Sequence, residues 1–211
     1  MSNRYSLYTA TLNNAVHLTQ VDSWSIKPNQ QRSVVTPGGA IDPAHIGISS
    51  ASPSVSISTR DFSTLFASAS ISAGLSCTAS TRFVMQHRTE GATFVAEDGS
   101  THLTCTAAKG FYRPTSISAS QDDNEGATIE GEFTALWDGS TQPLVWNNTQ
   151  DIDTIDDPAF SSRYFLGPVY HAGAAISGVT SISVDPGIRY EAKAFSGDAS
   201  PKVGAIYSVG S

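Results

Sequence analysis

The chain has 211 residues and a mass of 22.2 kDa, enough for one full-sized domain. Nineteen Asp and Glu against twelve Lys and Arg give a formal net charge of −7. No basic stripe is present to neutralise phosphates, which argues against ordinary nucleic-acid binding.

Charged residues are only 15% of the chain, below the roughly 25% of a typical soluble domain. Thirty-one serines and twenty threonines fill the gap. Short hydroxyl side chains suit the solvent face of a strand, while the Glu, Lys, Gln and Arg of helical surfaces are scarce. Composition therefore predicts an all-β protein, as a single domain over 1–211. Cys77 and Cys105 are too few for a disulfide scaffold and read as reduced thiols. No leader-type segment and no apolar run near the roughly 18 residues of a membrane span are seen, so the expectation is a protein made in a reducing cytosol, with no membrane partner. Asn147-Asn148-Thr149 matches a glycosylation sequon, unused in that compartment.

In chain order, residues 27–47 come first. Pro28, Pro37, Gly38, Gly39 and Pro43 interrupt any periodicity there, which predicts a long extended loop. Either an arm reaching a neighbouring subunit or a partly ordered loop fits that chemistry. Ser54-Val55-Ser56-Ile57-Ser58 then alternates as a half-buried strand. Over 61–69 the period changes. Phe62, Leu65, Phe66 and Ala69 form an i, i+3, i+4, i+7 stripe, predicting a short flanking helix with Thr59 or Asp61 as N-cap. Phe62, Leu65 and Phe66 are the expected core residues of that helix.

Strands follow at 82–87, 92–96 and 102–106, the last two joined in a hairpin by Glu97-Asp98-Gly99-Ser100. A turn at Ala108-Lys109-Gly110 leads to a strand beginning at Phe111, and Thr115–Ser120 alternates again. Asp122-Asp123-Asn124-Glu125-Gly126 is a loop tip by chemistry. Residues 127–137 then alternate as a long strand that Asp138-Gly139 ends. A further alternating run covers 180–184.

Charge is not spread evenly over these elements. Ten of the nineteen carboxylates lie between Arg113 and Arg163, a stretch with no Lys or Arg. Glu130 and Glu132 share one face of the 127–137 strand, opposite Ile129 and Phe133. Asp122, Asp123 and Glu125 occupy the turn that feeds it. A solvated face is the ordinary explanation of such a run; a cation site or a surface that repels phosphates are the functional ones.

Signatures of other chemistry are weak. The five histidines show no repeated ligand spacing, and no nucleophile elbow, phosphate loop or dinucleotide fingerprint occurs. Asp122, Asp123 and Glu125, or Asp151, Asp153, Asp156 and Asp157, offer hard oxygen ligands but not the twelve-residue calcium-loop spacing. A carboxylate-based hydrolase would need two acids converging in a cleft, with Trp137 and Trp146 as platforms. The expectation is a protein with no catalytic residues, no cofactor and no metal.

Two stretches carry a family resemblance. The first runs Gln30-Gln31-Arg32-Ser33-Val34-Val35-Thr36-Pro37 through Ile41-Asp42-Pro43, then Pro53–Asp61 and the short helix. The second runs Gly110-Phe111-Tyr112-Arg113-Pro114 through Gln121, into the strand ending Trp137-Asp138-Gly139. Together, over roughly 28–146, they resemble the tail tube (major tail) proteins of long-tailed bacteriophages. That resemblance implies two packed antiparallel sheets with one flanking helix. It also implies six copies per ring, rings stacked into a virion tube, contacts with other tail proteins, and passage of double-stranded DNA without specific binding.

Gln30, Gln31, Arg32, Thr36, Pro37, Asp42 and Pro43 would then lie in an inter-subunit loop. Asp122, Asp123, Glu125, Glu130 and Glu132 would line an acidic lumen. Residues 147–211 lie outside the resemblance and read as a family-specific extension. The alternative class is a β-sandwich binding or decoration module for a glycan or capsid surface, marked by exposed aromatic residues.

Overall fold

The computed structural model describes residues 4–36, 38, 45–68, 73–88, 101–121, 126–137, 142–151, 164–194 and 203–209. These are mostly strand. The order begins β1 (Arg4–Leu12), β2 (Val16–Leu18), β3 (Val21–Lys27), β4 (Gln30–Val35), β5 (His45–Ala51) and β6 (Ser54–Thr59). Helix α1 (Phe62–Ser68) precedes β7 (Leu75–Cys77), β8 (Thr81–Arg88), β9 (His102–Ala107), β10 (Lys109–Ser120) and β11 (Thr128–Leu136). Then come β12 (Val145–Gln150), β13 (Val169–His171), β14 (Ala174–Ile176), β15 (Ser181–Val184), β16 (Arg189–Ala194) and β17 (Val203–Val209).

Two large antiparallel sheets hold the core: the all-β character follows the composition, and the packed pair is what the family resemblance implies. One is ordered β12-β9-β8-β1-β2 and the other β15-β10-β11-β6-β3, with β7 also pairing β10. Three two-stranded ribbons, β4-β5, β13-β14 and β16-β17, are not part of either ladder, although β17 touches β11. Between the sheets pack Leu12, Leu18, Phe83 and Cys105 from one side and Val55, Ile57, Tyr112, Ile129 and Phe133 from the other. Phe83 meets Phe133 edge-on across the interface, with ring centroids 5.7 Å apart. Each such side chain contributes about 1.5–3 kcal/mol by leaving water.

Local chemistry explains the connections. Asn13 and Asn14 adopt positive φ of 53° and 52°, which asparagine tolerates, and so turn β1 back into β2. Asp61 is the N-cap of α1: its Oδ1 accepts the Thr64 N–H at 3.2 Å, and its Oδ2 accepts the Thr19 N–H and hydroxyl at 3.2 Å each. That buried carboxylate ties the helix to the end of β2. At Ala108 the chain passes from the five-stranded to the six-stranded sheet, so β10 starts at Lys109 rather than Phe111. Pro114, with no N–H to give a ladder, sits where the β10–β11 register shifts between Pro114 and Ser116.

Several sequence expectations change. The helix spans Phe62–Ser68; Phe62 and Leu65 are buried, but Phe66 is 42% exposed and is not a core residue. A stripe of four positions is wider than so short a helix needs to reach the sheet, and Phe66 falls on its outer edge, against the Phe62 ring at 5.6 Å. The expected strand at 92–96 and its turn lie outside the described residues; β9 pairs instead with β8.

The stretch 27–47 is not a plain extended loop. β4 and β5 pair from Gln30↔Ala51 to Val35↔His45, prolonging the β3–β6 ladder beyond the sheet. Val34, Val35, Ile46 and Ile48 favour strand strongly enough to outweigh the breakers near them in sequence. At the base Asn29 (φ 41°) bonds through its side-chain amide to Ser52 O at 3.1 Å and to Ser54 Oγ at 3.0 Å.

The segment beyond 147 also joins the sheets: β15 pairs with β10, and Arg113 Nη1 donates to Ile188 O at 2.9 Å.

Candidate functional site on the polar sheet face

The two sheets treat their outer faces differently. On the five-stranded sheet, Thr9, Val84, His102 and Thr104 point away from Phe83 and Cys105 and are nevertheless buried. On the six-stranded sheet the face turned from Phe133 is open over part of its area: Ser23, Ser25 and Glu130 are exposed, and Ser56, Ser58, Thr128 and Glu132 are half-buried, whereas the row Ser54, Thr134 and Phe111 is buried. Strict alternation along β3, β6 and β11 produces this face, since Trp24, Val55, Ile57, Ile129 and Phe133 take the inward positions.

Register aligns the polar residues into rows across the sheet. Ser25 lies opposite Ser56, Ser56 opposite Glu132, and Glu132 opposite Arg113. In the next row Ser23 faces Ser58, Ser58 faces Glu130, and Glu130 faces Ser116. Beyond them Ser118 Oγ lies 2.9 Å from Thr128 Oγ1, and Ser116 Oγ lies 3.5 Å from Ser183 Oγ. A shallow depression of about 430 Å³ between β3, β6 and β11 is lined by Ser23, Ser25, Lys27, Ser58, Glu130 and Glu132, among others.

The charge on this face differs from the sequence expectation. Arg113 Nη2 binds Glu132 Oε2 at 2.7 Å, with both side chains about three-quarters buried (26% and 20% exposed). Lys27 lines the same depression as Glu130. The two carboxylates described here are therefore accompanied by two cations, and only Glu130 is a solvent-exposed acid of the pair. Arg113 is the first residue before the base-free stretch, so a sequence window opened one residue earlier contains the counter-charge. Strand pairing places it there, which linear charge counting does not see.

Asp122, Asp123 and Glu125 lie outside the described residues, as do Pro37, Asp42 and Pro43. Gln30, Gln31 and Arg32 fall on β4, and Thr36 follows it, exposed. Among the described residues no group of three His, Cys, Asp or Glu converges as metal ligands, and no helix is long and apolar enough to cross a membrane. Cys77 and Cys105 are free and buried; burial pushes their thiols up to about 11 and about 12.

Trp146, named from sequence as a platform beside Trp137, has a different partner in the fold. Trp146, half exposed on β12, packs against Trp24 of β3 with centroids 6.2 Å apart, and Trp24 continues to Phe83 at 5.8 Å. No family model matches the chain, and no curated protein matches it.

Proposed function

We propose that this chain is a non-enzymatic structural subunit that assembles with copies of itself into stacked rings, as a phage tail tube protein does. One observation carries the reading: a six-stranded sheet with an apolar inner face and an outer face whose serine rows over β3, β6 and the Thr128–Glu132 part of β11 remain accessible to solvent. Neutral hydroxyls hold water well and offer phosphates no fixed cation. Arg113 is neutralised by Glu132, and the exposed Lys27 shares its depression with the exposed Glu130, so these four groups give the face no net charge to hold phosphates. Repeated around a ring, such a face makes a conduit that DNA crosses without sticking.

The β4-β5 ribbon supports the same reading. It prolongs the β3–β6 ladder off the sheet, exposes Val34, and suits contact with an adjacent ring. On this reading the protein is made in the host cytoplasm and ends in the virion tail, with other tail proteins as its remaining partners. Negative-stain microscopy of the purified chain tests it. Rings or hollow tubes are expected, and a monodisperse monomer at every concentration would overturn it.

The Trp146–Trp24 pair favours a second reading, a virion binding or decoration module in which Trp146 stacks on a sugar ring. That module would run as a small defined oligomer in gel filtration, and its Trp146 fluorescence would respond to glycans.

A further inference from the structure

Between Arg163 and Asp185 the chain runs 21 residues, 164–184, without an Asp, Glu, Lys or Arg. That segment supplies Tyr164, Phe165, Tyr170, Ile176 and Val184, five of the nine large hydrophobic side chains exposed among the described residues. Within it β13 and β14 form a hairpin of two three-residue strands, and every residue from Tyr170 to Gly178 is exposed. Ala172 (φ 49°) and Gly173 (φ 83°) make its turn, so even a position suited to a polar Asn carries a methyl group. A hairpin of this size is at best marginally stable in water, and this one is not hydrogen-bonded to either large sheet.

Both ends of the segment are fixed. Tyr164 O accepts the Ala127 N–H at 2.7 Å, Thr180 O accepts the Gln121 N–H at 2.9 Å, and β15 pairs with β10. The hairpin is thus held out beside β15, the edge strand of the six-stranded sheet. Ser181-Ile182-Ser183-Val184 carries none of the lysines or prolines that usually blunt an exposed edge.

We infer that residues 164–184 are a clasp that packs on a second copy of this chain next to β15. The inference rests on the self-assembly proposed above and names the surface that performs it. Charge selects the occupant. Copies of a chain with net charge −7 repel one another, so they meet most easily where charge is absent, and this is a long uncharged stretch. A basic partner would call for acids on the clasp, and it has none. The contact is heterologous, arm on neighbour, and such contacts close into rings when the rotation fits.

Sedimentation velocity on the full chain and on Tyr170→Ser, Ile176→Ser and the double variant tests the clasp, with thermal melts confirming folding. Both residues are exposed, so the melts should coincide. The wild type should assemble, and the double variant should need at least tenfold more protein to do so. If all four proteins assemble at the same concentration, the clasp is overturned while self-assembly stands. A wild type that stays monomeric overturns self-assembly and the clasp with it. Should the double variant melt early, hydrogen exchange over 169–176 in the wild type decides. Slower exchange in the assembly than in dilute monomer supports the clasp, and equal exchange overturns it.

Discussion

Gly131 lies directly beneath the ring of Tyr112: a Cβ on the glycine would stand 2.2 Å from the phenol oxygen and 2.4 Å from Cζ. The relationship is reciprocal one step along the ladder. Tyr112 and Phe133 are partners on β10 and β11, and a Cβ on Gly110 would stand 2.1 Å from Cζ of Phe133. Each aromatic ring therefore covers the glycine diagonal to it on the neighbouring strand, and the absence of two Cβ atoms admits two rings to the core.

Substituting either glycine forces a fully buried ring from its place. Gly131→Ala and Gly110→Ala should each cost about 1–3 kcal/mol, the usual range for overpacking a filled core. Urea unfolding followed by tryptophan fluorescence measures this, and an unchanged midpoint would contradict the packing. Tyr112→Phe should behave in the opposite way. The Tyr112 hydroxyl is buried with no hydrogen-bond partner among the described residues, so removing it should be neutral or stabilising.

Much of this fold is legible in the sequence. Ser54–Ser58, Thr115–Ser120 and Thr180–Val184 alternate cleanly, and these runs, with Arg82–His87 and His102–Thr106, fall within strands except for Thr180, which precedes β15. Less legible is β1, where the register shift between Leu7 and Thr9 breaks the period of two. Asn13-Asn14, the residues of the β1–β2 turn, was a usable hairpin signal that passed unread. The ribbon β4-β5 was hidden because Pro37, Gly38, Gly39 and Pro43 cluster in sequence, whereas β-branched residues on either side pair across them. On the candidate face, the side of Glu130 and Glu132 followed from alternation alone. Their charge balance did not, because Arg113 reaches Glu132 through a partner strand.

The helix gives a second contrast. Phe66→Ala should lower stability by less than about 1.5 kcal/mol, whereas Phe133→Ala should cost about 3–5 kcal/mol. Phe66 is 42% exposed and Phe133 is fully buried. Equal losses in denaturant unfolding would mean that Phe66 is covered after all.

Glu130 and Glu132 should separate in the same way. Glu132→Lys breaks the bond to Arg113 and sets two cations together in a half-buried site, at a cost of about 1–3 kcal/mol. Glu130→Lys should leave the unfolding midpoint unchanged, because Glu130 is exposed. On the proposed function, Glu130→Lys tubes should also retain DNA in a salt-dependent manner. If they pass DNA as the wild type does, the polar face lies outside the channel.

The buried thiols set a pH dependence. Their folded values, about 11 for Cys77 and about 12 for Cys105, exceed the roughly 8.5 of an unfolded cysteine. The unfolded state therefore loses these protons first as pH rises. The stabilisation is complete below about 8.5 and is lost progressively as pH climbs through the folded values. Between pH 8.5 and 11, Cys105→Ala should show a shallower fall of stability than the wild type. Both thiols should also resist alkylation at pH 8 until the protein is unfolded.

An electron cryomicroscopy map of the assembled particle tests the central claim most directly. It should show a closed ring with β3, β6, β11 and β10 facing the channel and the side chains of Ser25, Ser56 and Glu130 pointing into it. A ring whose channel is lined by the five-stranded sheet, with the serine rows on the outer wall, would contradict the account.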